Sequence, residues 1–245
     1  MKLEIIAFNI ESCVAAQEAG AHRIELCAGP EEGGTTPSYG FIKAAGEKLT
    51  IDLYVMIRPR GGDFLYSDEE FEIMKTDIAI CRQLDCDGIV FGILTTEGKV
   101  DIKRCRELIE SAYPLEATFH RAFDRVVNPF DALEEIIGLG FERILTSGLK
   151  PEAIESTDIL SQLIKQSGER IIIMPGSGVN AKNIISIAES TGAKEFHSRA
   201  ASFTESKTQY QNPAMHESLK HVTANKDEVK KMVALLNEPS KITES

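Results

Sequence analysis

The sequence contains no apolar run of about 18 residues, and therefore no candidate for a transmembrane helix. Its N-terminus leads directly into an apolar strand pattern and lacks the hydrophobic core of a signal peptide. No CxxC pair is present, and the five cysteines are an odd, scattered set, which argues against a disulfide framework or a structural zinc site. These absences predict a cytoplasmic protein that does not associate with membranes.

Positive charge is also in short supply. Lysine and arginine number 27 against 38 aspartates and glutamates, so the formal net charge is −11. This balance argues against a general nucleic-acid binder, although a local basic pocket remains compatible with it. The hydrophobic content of 42% and charged content of 27% are ordinary for a soluble globular protein.

Strand-like and helix-like patterns alternate along the whole chain. Ser67 followed by Glu70 forms a capping box, and Asn128-Pro129 is a typical helix start. Eight units of about 25–35 residues without a linker favour a closed parallel barrel over an open sheet. We therefore predict a single (β/α)8 barrel of TIM type as one domain over residues 1–245, with residues 199–224 as a long polar loop before a final helix. The predicted strands cover residues 3–8, 23–27, 51–57, 88–93, 115–119, 143–145, 170–174 and 195–197.

Alternation within the strands places charged side chains inside the barrel. Ile24 and Leu26 must pack against helices, so the residues on either side of them face the lumen. The same argument applies to the other strands. The charged and polar residues turned inward are Glu4, Arg23, Glu25, Cys27, Glu116, His120, Glu195 and His197. Because unpaired buried charges are costly, these groups must pair with one another or line a wet pocket.

Position along the strand separates structural from functional candidates. In barrels the amino ends of the strands serve stability, whereas the carboxyl ends carry the site. We interpret the residues near the amino ends as structural, namely Glu4, Arg23, Glu116 and Glu195. We assign to the functional end, at the carboxyl ends of the strands, Glu25, Cys27, Arg58, His120 and His197.

The stretch Leu115–Asp124 carries the clearest site signal. A strand runs directly into His120, Arg121 and Asp124, just before a helix. Imidazoles and carboxylates at strand ends are the groups that general acid–base catalysis uses. The predicted catalytic residues are Glu25, His120, Asp124 and His197.

A second group of residues predicts an anion site. Arg58 and Arg60 flank a proline, and guanidinium groups at this end of a barrel commonly bind carboxylate or phosphate. An ion pair of Arg60 with Asp63 is the structural alternative. The predicted anion-binding residues are Arg58, Arg60, Arg121, Ser147, Gly176 and Gly178. The two glycines precede a helix that Asn180 is expected to cap, and a simple tight turn is the alternative there.

Lysine is missing from the inward-facing strand positions. A Schiff-base aldolase would therefore have to use a loop lysine such as Lys150.

Several motifs, in order, resemble the CutC family, known as copper-homeostasis proteins. They are Arg23-Ile24-Glu25-Leu26-Cys27, Glu32-Gly33-Gly34-Thr35-Thr36-Pro37-Ser38, Met56-Ile57-Arg58-Pro59-Arg60-Gly61-Gly62-Asp63-Phe64, Thr118-Phe119-His120-Arg121-Ala122-Phe123-Asp124, Leu145-Thr146-Ser147-Gly148 and Pro175-Gly176-Ser177-Gly178. The resemblance implies a TIM-type barrel, a cytosolic location, a homo-oligomer (dimer or tetramer) and an association with copper. It implies no established reaction.

Two functions from different classes follow. The first is a copper-binding protein whose ion is held by Cys27 with His120 or His197. Ile6-Ala7-Phe8 stands where some relatives carry cysteines, which removes thiolates, the preferred ligands of Cu(I). The second is an enzyme, an isomerase, lyase or hydrolase, acting on a small phosphorylated or carboxylated substrate. The predicted partner is thus a copper ion or a small anion.

Overall fold

Eight short parallel strands alternate with helices through residues 1–238, the part of the chain that the computed structural model describes. The strands are β1 (Lys2–Ala7), β2 (Arg23–Leu26), β3 (Asp52–Met56), β4 (Gly88–Phe91), β5 (Glu116–Phe119), β6 (Arg143–Thr146), β7 (Ile172–Pro175) and β8 (Glu195–Ser198). Each strand from β1 to β6 pairs with the next along the chain, and β1 also pairs with β8. Because β7 and β8 lie side by side, the sheet nearly closes, which confirms the predicted (β/α)8 barrel.

The helices surround the strands, and local sequence signals set their ends. They are α1 (Ile10–Glu18), α2 (Tyr39–Gly46), α3 (Asp68–Gln83), α4 (Ile102–Ala112), α5 (Pro129–Leu139), α6 (Thr157–Ser167), α7 (Ile184–Thr191) and α8 (Lys226–Asn237). The capping box is present, since the Ser67 N–H donates to Glu70 Oε2 at 2.8 Å and the Glu70 N–H to Ser67 Oγ at 3.2 Å. None of these described helices is both long and apolar enough to cross a membrane.

Strand parity is as predicted. Ile24 and Leu26 lie in the apolar core between strands and helices, whereas Arg23 on the same strand bonds to inward-facing carboxylates on β1 and β8. The register pairs Glu4 with Arg23 on one side and with His197 on the other. This register brings side chains from β1, β2 and β8 together inside the barrel.

Paired charges fill the lumen near the amino ends of the strands. The ion pairs of this network are Arg23–Glu4, Arg23–Glu195, Arg143–Glu195 and Arg143–Glu116. Arg23 is fully buried, and its Nη2 donates to Glu195 Oε2 at 2.8 Å. The residues assigned to the stability end of the barrel thus pair with one another and with Arg143, which the sequence argument did not include.

The polar segment 199–224 is more ordered than the sequence indicates. It contains β9 (Ala201–Thr204) and β10 (His221–Ala224), which pair antiparallel with Phe203 opposite Val222. Both strands are short and the connection between them is polar, so the expected loop gave no hairpin signal. The final helix, α8, follows as predicted.

The helix after β7 begins later than predicted. Its first residue is Ile184, because residues 181–183 form a turn in which the Lys182 N–H donates to Asn180 Oδ1 at 2.9 Å. Asn180 therefore stabilises the turn and is not the N-cap. Asn183 occupies the N-cap position.

Candidate functional site

A cavity of about 380 Å³ opens at the carboxyl ends of the barrel strands. It is lined by Glu25 on β2, Arg58 after β3, His120 after β5 and His197 on β8. Parity and strand order alone predict that these four share one pocket, and the structure brings them together. Apolar side chains complete the wall, among them Ile6, Met56 and Leu145.

His197 stands between two carboxylates. Its Nδ1 lies 2.7 Å from Glu4 Oε1, and its Nε2 lies 3.7 Å from Glu25 Oε2. Because an ionised carboxylate only accepts, we assign a proton to Nδ1, so that in the neutral ring the Nε2 lone pair faces Glu25. Among residues 1–238, Glu4, Glu25 and His197 are the one group of three or more potential metal ligands with all donor atoms within 4.8 Å.

The three groups of this cluster hold their protons differently. Burial opposes ionisation of Glu4, but the charges of Arg23 and His197 outweigh it and lower the pKa of Glu4 to about 2. Burial raises the pKa of Glu25 to about 7. Burial disfavours the charged form of His197, yet the carboxylates of Glu25 and Glu4 raise its pKa above the usual 6.5. Near neutral pH, Glu25 therefore exchanges its proton with the solution, as an acid–base group must, and His197 holds its proton more tightly than a free imidazole.

His120 has a different character, because it is buried beside a cation. Burial and the charge of Arg58 lower the pKa of His120 to about 3, so the ring is neutral. Its Nδ1 accepts the Ala122 N–H at 3.3 Å, which places the proton on Nε2. That Nε2 is buried and has no partner among the described residues. His120 thus fits a hydrogen-bond donor to a ligand better than it fits a metal ligand.

The guanidinium of Arg58 is hydrogen-bonded mainly to backbone carbonyl oxygens. Its Nη1 donates to the carbonyl oxygens of Glu32 at 2.6 Å and Gly34 at 2.8 Å, and its Nη2 to that of Gly62 at 3.0 Å. These bonds tie the loops after β2 and β3 together. Nε alone is buried without a partner in the described part of the chain. Carbonyls do not cancel a full charge, so Arg58 keeps the cavity electropositive.

Arg60 does not line the cavity. Its Nε donates to Glu70 Oε1 at 2.6 Å, and its Nη1 to Asp63 Oδ1 at 2.9 Å. The structural alternative raised by the sequence, an ion pair with Asp63, is the arrangement seen. The anion-binding role predicted for Arg60 has no geometric support.

Asp124 is the centre of a buried network behind the cavity. It accepts hydrogen bonds from Thr146 Oγ1 at 2.5 Å, the Ser147 N–H at 3.0 Å and the Leu149 N–H at 3.2 Å. Arg121 Nε donates to it at 2.7 Å, and Arg121 Nη2 donates to Ser147 Oγ at 2.9 Å. Both oxygens of Asp124 are therefore occupied in holding the loop after β6. Of this network, Arg121 alone lines the cavity, so the roles predicted for Asp124 and Ser147 have no free atoms to support them.

The turn after β7 offers less to an anion than predicted. The Gly176 N–H donates to the Thr146 carbonyl oxygen at 2.9 Å and is not free for a ligand. Gly178 lines the cavity and has a positive φ of 72°, a conformation that favours glycine. Since Asn180 is not the cap of α7, the expected helix terminus does not directly follow these glycines.

Cys27 does not join the histidines. It packs in a small apolar cluster with Tyr54, Met56 and Val90. Burial and the neighbouring Glu25 carboxylate raise the pKa of the Cys27 thiol well above its usual value, so it stays protonated. The predicted set of Cys27, His120 and His197 is not a metal-binding cluster in the described part of the chain. Of the three, only His197 belongs to one.

Two residues of the site escaped the sequence argument. Glu4 was assigned to the stability end, yet the β1–β8 register places it beside His197, where one of its two oxygens reaches the site. Arg199 also lines the cavity, and its guanidinium lies 5.6 Å from the Phe8 ring centre. Its position directly after β8 could have identified it, because such residues face the mouth of a barrel.

Acid–base and cationic side chains that converge at the carboxyl ends of eight parallel strands define a ligand-binding or catalytic (β/α)8 barrel. Comparison with known proteins gives the family. The model of the CutC family matches residues 1–202, and the chain belongs to that family.

Its relatives cover most of the chain. The CutC protein of Parabacteroides distasonis is 52% identical over 212 residues, 86% of this chain and 87% of the relative. The copper homeostasis protein cutC homolog of Mus musculus is 48% identical over 221 residues, 89% of this chain and 81% of the relative. The crystal structure of the copper homeostasis protein CutC from Streptococcus agalactiae has a TM-score of 0.78 at 37% identity, covering 81% of this chain and 98% of that one.

Proposed function

We propose that this chain acts in copper homeostasis, as the names of its relatives state, by binding a copper ion at the mouth of the barrel. His197 Nε2 and the Glu25 carboxylate supply the ligands. The observation that carries this proposal is the 2.7 Å contact between His197 Nδ1 and Glu4, which leaves Nε2 directed to Glu25 at 3.7 Å. A carboxylate that holds the far nitrogen of a histidine is the usual support of a metal-binding imidazole.

The donor set indicates which copper ion fits. Imidazole nitrogen and carboxylate oxygen suit Cu(II), whereas Cu(I) prefers thiolates. Both ligands must lose their protons to bind, and Glu25 has a pKa of about 7 while that of His197 is raised. Copper binding at the mouth therefore weakens as the pH falls below neutral.

Calorimetric titration with Cu(II) at pH 6 and pH 8 tests the proposal. The variants are His197→Gln and Glu25→Gln, with His221→Ala as control, since His221 is exposed on β10. We expect each site variant to lose at least tenfold in affinity, and the wild type to bind more weakly at pH 6. Equal Cu(II) affinity in His197→Gln and wild type would remove copper from the mouth.

A small anionic substrate, turned over by an isomerase, lyase or hydrolase, is a second candidate for the same cavity. One observation favours it: His120 Nε2, Arg58 Nε and Glu25 Oε1 are all buried without partners among residues 1–238. Two donors and one acceptor on residues that line the cavity match an oxygen-rich ligand, and leaving them unsatisfied costs about 1–3 kcal/mol each. Calorimetry with inorganic phosphate, wild type against Arg58→Ala, tests it. No heat at millimolar phosphate would exclude this candidate.

The cytoplasmic location and the homo-oligomeric state, dimer or tetramer, remain predictions. Large apolar side chains exposed on and after β9 support an assembly, namely Phe203, Tyr210 and Met215. Light scattering on the purified chain measures the oligomeric state directly, and a mass of 27 kDa would contradict assembly.

A further inference from the structure

The end of helix α3 brings two cysteines into contact through its backbone geometry. The Cys86 N–H donates to the Cys81 carbonyl oxygen at 3.1 Å, and the Asp85 N–H donates to that of Arg82 at 3.2 Å. Asp85 has a positive φ of 52°. These features define a Schellman motif, in which the residue after the left-handed position packs on the third helical residue from the end. Here both of those residues are cysteines.

The two side chains behave as a pair. The Schellman geometry places the two side chains next to each other, and the interaction between the thiols raises the pKa of Cys81 and lowers that of Cys86. Cys81 is fully buried, and Cys86 is 5% exposed. Neither is oxidised in the structure. Packing alone would need only small apolar residues at these positions, whereas two adjacent thiols can also serve as metal ligands.

The pair lies at the opposite end of the barrel from the cavity that contains His197. Cys86 comes two residues before β4, hence at the amino ends of the strands. It also lines a surface cavity of about 590 Å³, together with Arg82, Asp85 and Asp87. The two aspartates make this entrance attractive to a cation, and the cavity brings an ion to the residue that carries the less buried of the two thiols.

We propose that Cys81 and Cys86 form a second copper site, a two-thiolate site for Cu(I), separate from the mouth of the barrel. Binding converts two thiols and one Cu⁺ into a bis-thiolate complex of charge −1 and releases two protons, with no change of oxidation state. Thiolates select soft ions such as Cu(I). Zinc requires four ligands, and no group of three described His, Cys, Asp or Glu side chains includes these cysteines.

This inference rests on the proposed copper function, yet it assigns the ion to other residues and another oxidation state. The family resemblance pointed to Cys27, which is buried in an apolar cluster and does not itself line the cavity. Cys81 sits within a predicted outer helix, where core packing is the ordinary role for a cysteine. Only the turn geometry after α3 distinguishes it from Cys105, whose thiol faces the Ile93 carbonyl oxygen at 3.9 Å.

Anaerobic competition for Cu(I) against the chelator bicinchoninate tests the site. The reduced wild type, Cys81→Ser and Cys86→Ser are compared, with Cys105→Ser as matched control because Cys105 is equally buried on the neighbouring helix. We expect at least a hundredfold loss of affinity in each site variant and less than threefold in the control. Because two protons leave, wild-type affinity should rise by up to about a hundredfold per pH unit.

X-ray absorption of the Cu(I)-loaded wild type provides a readout that does not depend on how well the variants fold, and two sulfur ligands are expected. Nitrogen or oxygen ligands in that spectrum, unchanged affinity in Cys86→Ser, or a Cys81–Cys86 disulfide that resists reduction would each overturn the proposal. Retained Cu(II) binding at the mouth alongside such a result would leave the proposed function intact. Loss of Cu(II) binding in His197→Gln, with Cu(I) binding unchanged, would show that the two ions bind at separate sites.

Discussion

Replacing Arg23 by methionine tests how the barrel tolerates charge in its lumen. Methionine fills much of the same volume but cannot pair with a carboxylate. The change leaves Glu4 and Glu195 buried, with their main partner removed. Removing one member of a buried ion pair typically costs about 3–5 kcal/mol, because the remaining charge is uncompensated.

The pKa of Glu4 gives the free-energy cost of losing this ion pair by an independent route. Its value of about 2, against an ordinary 4.5, corresponds to roughly 3 kcal/mol at about 1.4 kcal/mol per pH unit. The two routes agree, so we expect Arg23→Met to lose about 3–5 kcal/mol. With a slope of about 3 kcal/mol/M, the urea midpoint falls by roughly 1–2 M.

Urea unfolding followed by circular dichroism at pH 7 and pH 3.5 is the assay. The control is Arg170→Met, which breaks the exposed pair with Glu134 and should leave the urea midpoint almost unchanged. A carboxylate with a lowered pKa stabilises the fold above its unfolded pKa and loses that contribution as the pH falls. The difference between wild type and Arg23→Met should therefore shrink at pH 3.5. A loss below 1 kcal/mol at pH 7, or an equal loss at both pH values, would refute the electrostatic reasoning.

Further predictions concern individual residues. Asp85→Gly relieves the left-handed conformation at the end of α3, so we expect a gain of about 0.5–1 kcal/mol and a higher melting temperature by calorimetry. Between pH 5 and 8 the stability should fall with rising pH, because Glu25 and His197 both have raised pKa values and both hold protons more tightly when folded. Glu25→Gln should flatten that profile, and an unchanged profile in urea titrations would contradict the pKa assignment. Asp124→Asn cannot accept all of its present hydrogen bonds and should lose about 2–4 kcal/mol in thermal unfolding, whereas unaltered stability with lost ligand binding would restore a catalytic role.

Much of the fold was predictable because local signals and the overall pattern agree. Capping at Ser67 and Asn128, together with strict alternation of strands and helices, leaves few topologies other than a closed barrel. Strand parity then places Glu25 and His197 in one cavity before any coordinate is known. Parity is reliable here because a slip of one residue would expose the apolar side chains.

Hydrogen-bond partners could not be predicted in the same way. Asp124 looks catalytic in sequence, but the loop after β6 supplies the N–H groups that occupy it. The tautomer of His120 depends on one backbone N–H two residues away, and the cysteine pair depends on a left-handed Asp85, a residue type that seldom signals it. Such contacts depend on distances of a few tenths of an ångström, which periodicity does not encode.

Glu4 divides its two oxygens between different tasks, and this limits how the barrel can be redesigned. Oε2 pairs with Arg23 on the structural side, while Oε1 holds His197 on the side of the cavity. An engineer who replaces His197 to install a new activity leaves a buried carboxylate oxygen without its partner. The substitution must therefore be made together with a compensating donor, or with Glu4→Gln and a remodelled Arg23. In this scaffold Glu4, Arg23 and His197 must therefore be exchanged as a group, and His197 cannot be exchanged alone.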